Sequence, residues 1–287
     1  MQNLFWYIGL AVVGVVCAAY AIFMKRNVYK VSTLVVFYLF SAGLSWLGEF
    51  IVLGIFNSYA YKTGLFANPW AQNLLGHLIL NTSLYPAAAT VMAAYSLRHG
   101  WVSLVAALFI LIEYLFIKIN LYEHHWWTYY MTVIAVIIYL SFSRIWFVKM
   151  IKNRQGLTRA VTFFFAGMLI IHTPAPLLLL LGKQHYQLDI VNNLIDNLYL
   201  SSIIITFSYH LIEVFLAVLF TCILKKWYWK VPLLIVPLVA QGIFAKMNIL
   251  ILKNGWNLVY TILIFEISMI VFVLGEKYTL RSDDSMS

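Results

Sequence analysis

Residues 128–182 read TYYMTVIAVIIYLSFSRIWFVKMIKNRQGLTRAVTFFFAGMLIIHTPAPLLLLLG. Two apolar runs, each near the roughly 20 residues needed to cross about 30 Å of hydrocarbon, flank the segment from Lys149 to Arg159. That segment carries Lys149, Lys152, Arg154 and Arg159 and no acid. An apolar run, a short basic loop and a second apolar run are the pattern of a chain that crosses a bilayer and returns.

Extended outward, the pattern yields nine apolar spans, near 4–23, 31–57, 71–95, 101–120, 128–149, 159–182, 194–224, 231–252 and 256–275. Lys and Arg fall on alternate loops. Lys25, Arg26, Lys30, Arg98, Arg144, the 149–159 group, Lys225, Lys226, Lys230, Lys277 and Arg281 lie on one side. Lys62, Lys183 and Lys253 lie on the other. Cytoplasmic loops accumulate Lys and Arg, so the N-terminus is expected outside and the C-terminus inside. Trp70, Trp101, Trp126, Trp127, Trp227, Trp229 and Trp256 stand near span edges, where aromatic rings anchor at the interface.

Composition agrees with an all-α polytopic membrane protein. The chain is 63% hydrophobic and 10% charged, against about 25% charged residues in soluble domains. Its net charge of +9 sits in short loops between apolar spans, which suits orientation and anionic lipid headgroups rather than nucleic acid. Cys17 and Cys222 both fall in spans, and no C-x-x-C occurs, so neither a disulfide framework nor a cysteine zinc site is indicated. MQNLFWY leads directly into the first span without a basic segment, which favours a retained helix over a cleaved signal peptide.

The two halves resemble each other. Phe116-x-Lys118-x-Asn120 closes the fourth span, and Phe244-x-Lys246-x-Asn248 lies near the end of the eighth. Upstream, the stretch from Asn73 to Leu80 parallels that from Asn193 to Leu200. The offsets are 128 and 120 residues, so an insertion of about eight residues is expected between them. Spans two to five and six to nine then form a parallel duplication of a four-helix unit, related by an axis along the membrane normal. The domains become 1–30 (first helix and basic loop), 31–152 and 153–275 (the two units), and 276–287 (a polar, disordered cytoplasmic tail).

Charges inside a bilayer cost at least about 2.5–3.5 kcal/mol on insertion scales, so they turn inward and find partners. The candidates for a ligand site are Glu49, His77, Glu113, Lys118, His172, Asp196, His210, Glu213 and Lys246. Glu49, His77 and Glu113 lie at similar depth in the outer half and are expected to share an interior cavity. Lys118 and Lys246 have two readings: snorkelling to the interface, or pairing inward with Glu49, Glu113 or Asp196. His210 and Glu213, three apart on a helix, share a face; they form a satisfied polar pair, a proton relay or half a metal site. His172-Thr173-Pro174-Ala175-Pro176 must break the sixth span, leaving carbonyls that are either purely structural or line a cavity. Glu123-His124-His125, with His185, could bind zinc, copper or nickel; adjacent loop histidines are more often solvated. No G-x-S-x-G, H-E-x-x-H, Walker A or G-x-G-x-x-G pattern occurs, and no cofactor or oligomeric state follows.

Residues of about 40–150 resemble a family of small multi-pass membrane proteins of spore-forming Firmicutes. The carriers are Glu49, Tyr59-Ala60-Tyr61-Lys62, the Asn73–Leu80 stretch, Pro86, and Ile112-Glu113-Tyr114-Leu115-Phe116 followed by Leu121 to Trp127. That family has no assigned activity, so the resemblance implies a bacterial plasma membrane. The second half departs from it, with Gln241 aligned to Glu113 and Lys253-Asn254-Gly255 in place of the Glu-His-His run. Three classes of function remain: a carrier or receptor for a small polar or cationic molecule, a structural or signalling membrane protein, and an intramembrane lipid-modifying enzyme.

Overall fold

The computed structural model describes residues 2–224 and 226–280. Two positions in the basic loops, Lys225 and Arg281, and most of the expected tail (281–287) lie outside the described residues. The chain divides into two compact units, Met1–Asn153 and Arg154–Ser287.

The first unit contains α1 (Gln2–Lys25), α2 (Val31–Glu49), β1 (Tyr59–Tyr61), α3 (Pro69–Thr82), α4 (Leu84–Ala94), α5 (His99–Lys118), β2 (Tyr122–His124) and α6 (Tyr129–Lys152). Past Glu49, α2 continues as wide π-type turns over Phe50–Ile55. The second unit contains α7 (Gly156–His172), α8 (Pro174–Leu180), β3 (Gln184–Tyr186), the short α9 (Asp189–Asn192), α10 (Leu198–Val218), α11 (Lys230–Lys246), β4 (Leu250–Leu252) and α12 (Leu258–Tyr278).

Among the described residues, eight helical segments are long and apolar enough to cross a membrane. Their exposed faces are apolar: Val12, Val16 and Tyr20 on α1, Leu104, Leu108 and Leu111 on α5, and Leu263, Ile267 and Val271 on α12. A helix satisfies its own backbone polar groups, which lipid cannot do. The chain is a multi-pass, all-α membrane protein.

The expected span 71–95 is not one helix. It breaks at Ser83 into α3 and α4, for local reasons. Thr82 and Ser83 hydroxyls donate back to the carbonyls of Leu78 (2.6 Å) and Ile79 (2.5 Å). Pro86 has no N–H for the Thr82 carbonyl four residues earlier; the Tyr38 hydroxyl donates to that carbonyl at 2.6 Å instead. Gly14 of α1 packs on the break, where a Cβ would meet Leu84 Cα at 3.0 Å. The sixth span breaks between His172 and Pro174, as its prolines require. The tail starts later than position 276, because α12 runs to Tyr278. Glu276 is buried and held by Arg159, whose Nε and Nη2 lie 2.9 and 2.8 Å from Oε1.

Each unit also holds a two-stranded antiparallel ribbon that the apolar pattern did not announce: β1 with β2, and β3 with β4. The helices feeding these ribbons start and stop by the same devices. Asn68 and Asn197 cap α3 and α10, each accepting from two backbone N–H groups. The Phe-x-Lys-x-Asn motif is a helix stop. Asn120 and Asn248 take left-handed φ of 57° and 55°. The following N–H, of Leu121 or Ile249, donates to the carbonyl of Phe116 (2.7 Å) or Phe244 (2.8 Å). These bonds also correct the expected register. Asn73 accepts from Tyr61 N, and Ser202 accepts from Tyr186 N. Asn68/Asn197 and Asn73/Ser202 are thus structural counterparts 129 residues apart, so the 120-residue offset and its eight-residue insertion are not needed.

Candidate functional site

In the first unit, register places Tyr59 opposite His124 and Tyr61 opposite Tyr122. Side chains alternate along a strand, so these four share one face while Ala60 and Glu123 share the other. Glu123 stays at the surface, 2.5 Å from Lys62 Nζ; that hydrogen bond, then the lysine charge, holds its carboxyl below the usual range. The three tyrosines are buried with ring centroids 5.0–5.7 Å apart. Burial first pushes their phenols well above the usual value, keeping them neutral O–H groups. Tyr61 seats its ring on α3 at Gly76, where a Cβ would fall 2.5 Å from Tyr61 Cγ. Tyr7 of α1 donates to the Leu121 carbonyl and fixes the ribbon from the side.

Beneath the ribbon is a cavity of about 470 Å³ within this unit. Glu49, at the end of the regular turns of α2, and Glu113, on α5, both line it, with Tyr59, Tyr61 and Tyr122. The Tyr61 hydroxyl donates to Glu49 Oε1 at 2.7 Å, and Tyr59 and Asn81 also bear on that carboxyl. Glu113 Oε1 lies 2.5 Å from His124 Nε2. Its other oxygen, Oε2, is buried without a hydrogen bond of normal geometry, although Thr132 interacts with the same carboxyl. Glu113 is only 8% exposed.

The remaining candidates sort as follows. His77 does not line the cavity; it packs edge-on against Trp46, with ring centroids 4.5 Å apart, and meets Asn81 at 3.3 Å. Asn81, one turn further along α3, does line it. Lys118 and Lys246 are exposed on the last turns of α5 and α11, so the inward ion-pair reading fails. The position that reading gave Lys118 is taken by His124 at Glu113 and by Tyr61 at Glu49. Asp196 is not in a span. It is exposed in the loop just ahead of the α10 cap, where a negative charge suits a helix N-terminus.

In the second unit, His172 and His210 approach through their Nδ1 atoms at 2.9 Å, and His210 Nε2 lies 3.8 Å from Glu213 Oε2. His210 is 0% and Glu213 2% exposed. His210 Nε2 and both Glu213 oxygens lack hydrogen bonds of normal geometry, although Tyr209 interacts with the Glu213 carboxyl. The pair is therefore close but not a satisfied one. Among the described residues no group of three or more His, Cys, Asp or Glu is placed to hold a metal. His124 engages Glu113, and His125 Nδ1 meets the Asn57 carbonyl at 2.8 Å.

The ribbon tyrosines were missed as site residues. Their signal was Tyr59-Ala60-Tyr61 and Tyr122-Glu123-His124, alternation at period two beside each helix end. No protein-family model, curated protein or solved structure matches the chain.

Proposed function

We propose that this is a plasma-membrane carrier or receptor for a small polar or cationic molecule, bound in the cavity of the first unit. The observation that carries this is the cavity wall itself, which holds two buried acids, Glu49 and Glu113, and neither Lys nor Arg. A buried acid turns toward a partner, since an unpaired buried polar group costs about 1–3 kcal/mol. A cationic group in the cavity would be such a partner for either carboxyl. The bacterial plasma membrane rests on the family resemblance. The orientation, N-terminus outside, rests on the charge of the loops, and it sets the ribbons at the outer face. The common element order and matched caps of the two units support duplication of a four-helix unit, with α1 as an addition.

Accessibility tests this reading. Ser45 lines the cavity. In a chain with Cys17 and Cys222 replaced by serine, Ser45→Cys should react with a membrane-impermeant cationic thiol reagent from outside intact cells. Cysteines placed at 183–193 should react too, and those at 150–158 should not. An inert Ser45→Cys would contradict an accessible site, and labelling at 150–158 would reverse the orientation.

A further inference from the structure

We propose that the cavity of the first unit takes an organic ammonium: a single positive charge on an apolar or aromatic body. This deepens the carrier-or-receptor reading and rests on it. Three observations on the cavity wall point to that class.

The first is charge. The lining includes Glu49 and Glu113 and neither Lys nor Arg. An anion would face two acids with no counter-charge. A neutral apolar ligand would cover both carboxyls while offering neither a charge nor a hydrogen bond. An ammonium group matches these carboxyls by charge and, when it carries N–H, by a hydrogen bond.

The second is the wall itself. Nine of the 24 lining residues are aromatic, among them Tyr59, Tyr61, Tyr122, Trp127 and Phe116. Aromatic faces attract ammonium groups, more strongly where water is excluded. A hard metal ion wants six or more oxygen ligands close together. This wall instead offers carboxylates on two different helices among rings, and no metal-holding cluster occurs among the described residues.

The third is size. About 470 Å³ falls within the range of small-molecule sites, roughly 300–1,000 Å³. A bare inorganic cation would leave most of it unfilled. A phenyl- or alkyl-bearing ammonium fills it with matching apolar surface, its charged end toward Glu113 beneath the ribbon.

The experiment uses the full-length protein in lipid nanodiscs and three probes of one shape. Benzyltrimethylammonium carries the charge, neopentylbenzene is its neutral carbon counterpart, and phenylmethanesulfonate is the anionic one. Binding is read by intrinsic fluorescence, with Trp127 on the cavity wall, and by calorimetry. The cation should bind at least about tenfold more tightly than the neutral probe, and the anion should not bind. Glu113→Gln, which retains a side-chain oxygen toward His124, should weaken the cation about tenfold and leave the neutral probe unchanged. Should Glu113→Gln fail to fold, Glu49→Gln provides the same charge test. Equal binding of cation and neutral probe, insensitive to both variants, would overturn the ammonium class while leaving the cavity as a ligand site. If none of the probes binds and Ser45→Cys is inert, the site reading falls with it.

Discussion

The two units each build a two-stranded antiparallel ribbon and put different chemistry beneath it. In the first, the inward strand residues are Tyr59, Tyr61, Tyr122 and His124, and Tyr61 donates to Glu49. In the second, the corresponding strands present Gln184, Tyr186, Leu250 and Leu252, and Tyr186 donates to Gln241 Oε1 at 2.8 Å. Gln241 stands five residues before Lys246, as Glu113 stands five before Lys118. A neutral amide thus replaces the acid, and leucine replaces the histidine that meets it. The buried acid of the second unit, Glu213, lies elsewhere. It is 16 residues past the α10 cap and 11 past Ser202, which accepts from Tyr186 N, and its carboxyl bears on the Tyr186 hydroxyl. The ribbon thus meets a carboxyl through Tyr61 in the first unit and an amide through Tyr186 in the second. The two units differ not in their ribbons' hydrogen-bonded pairing but in the residues at a few inward positions.

Seating of the ribbon gives the largest expected effect. Tyr61 rests on Gly76, whereas Tyr186 packs with Ile205, the residue at the equivalent position. Gly76→Ile should drive a branched side chain into the Tyr61 ring and cost about 3 kcal/mol or more. Thermal unfolding of the purified protein should show a clear drop in Tm. An unchanged Tm would mean that Tyr61 is not seated as described.

Tyrosine hydroxyls separate the units next. Tyr61→Phe removes the donor from a carboxyl oxygen, at a cost of about 1.5–3 kcal/mol where that group is charged. Tyr186→Phe removes one from a neutral amide, at about 0.5–1.5 kcal/mol. The first variant should be the less stable in chemical denaturation, and the reverse order would undo the contrast between acid and amide.

The smallest effect is the pH dependence contributed by one histidine of the second unit's ribbon. His185 is buried in β3, where the first unit has Ala60. Burial, and then the Lys253 charge, lowers its imidazole from the usual value of 6.5. The unfolded chain takes up the proton first, so this contribution is complete above about pH 6.5. It is lost as the pH falls through the lowered folded value. His185→Asn should flatten the stability profile below pH 6.5 and leave it unchanged at pH 8. A profile unaltered by that substitution would show that His185 does not titrate on unfolding.

Much of this was legible from residues. The apolar runs located the spans, and Pro174 and Pro176 located one break. The cost of buried charge singled out Glu49 and Glu113. The break at Ser83 was not legible, because the apolar run continues through it. It depends on two hydroxyls bonding backward and on Tyr38 reaching the carbonyl that Pro86 frees. The ribbons are three residues per strand, too short to rise above the helical pattern. Their tyrosines sit where interfacial aromatic residues are expected anyway. Lys118 was ambiguous for a physical reason: a long stem at a helix end reaches either direction, and only its neighbours decide.

The central claim is that ligand charge is read in the first unit and not in the second. It is tested most directly by binding of benzyltrimethylammonium to two variants that make the same change, Glu113→Gln and Glu213→Gln. The account predicts that the first weakens binding about tenfold, or about 1.4 kcal/mol, and that the second leaves it at the parent value. Equal losses in both, or a loss only in Glu213→Gln, would contradict it.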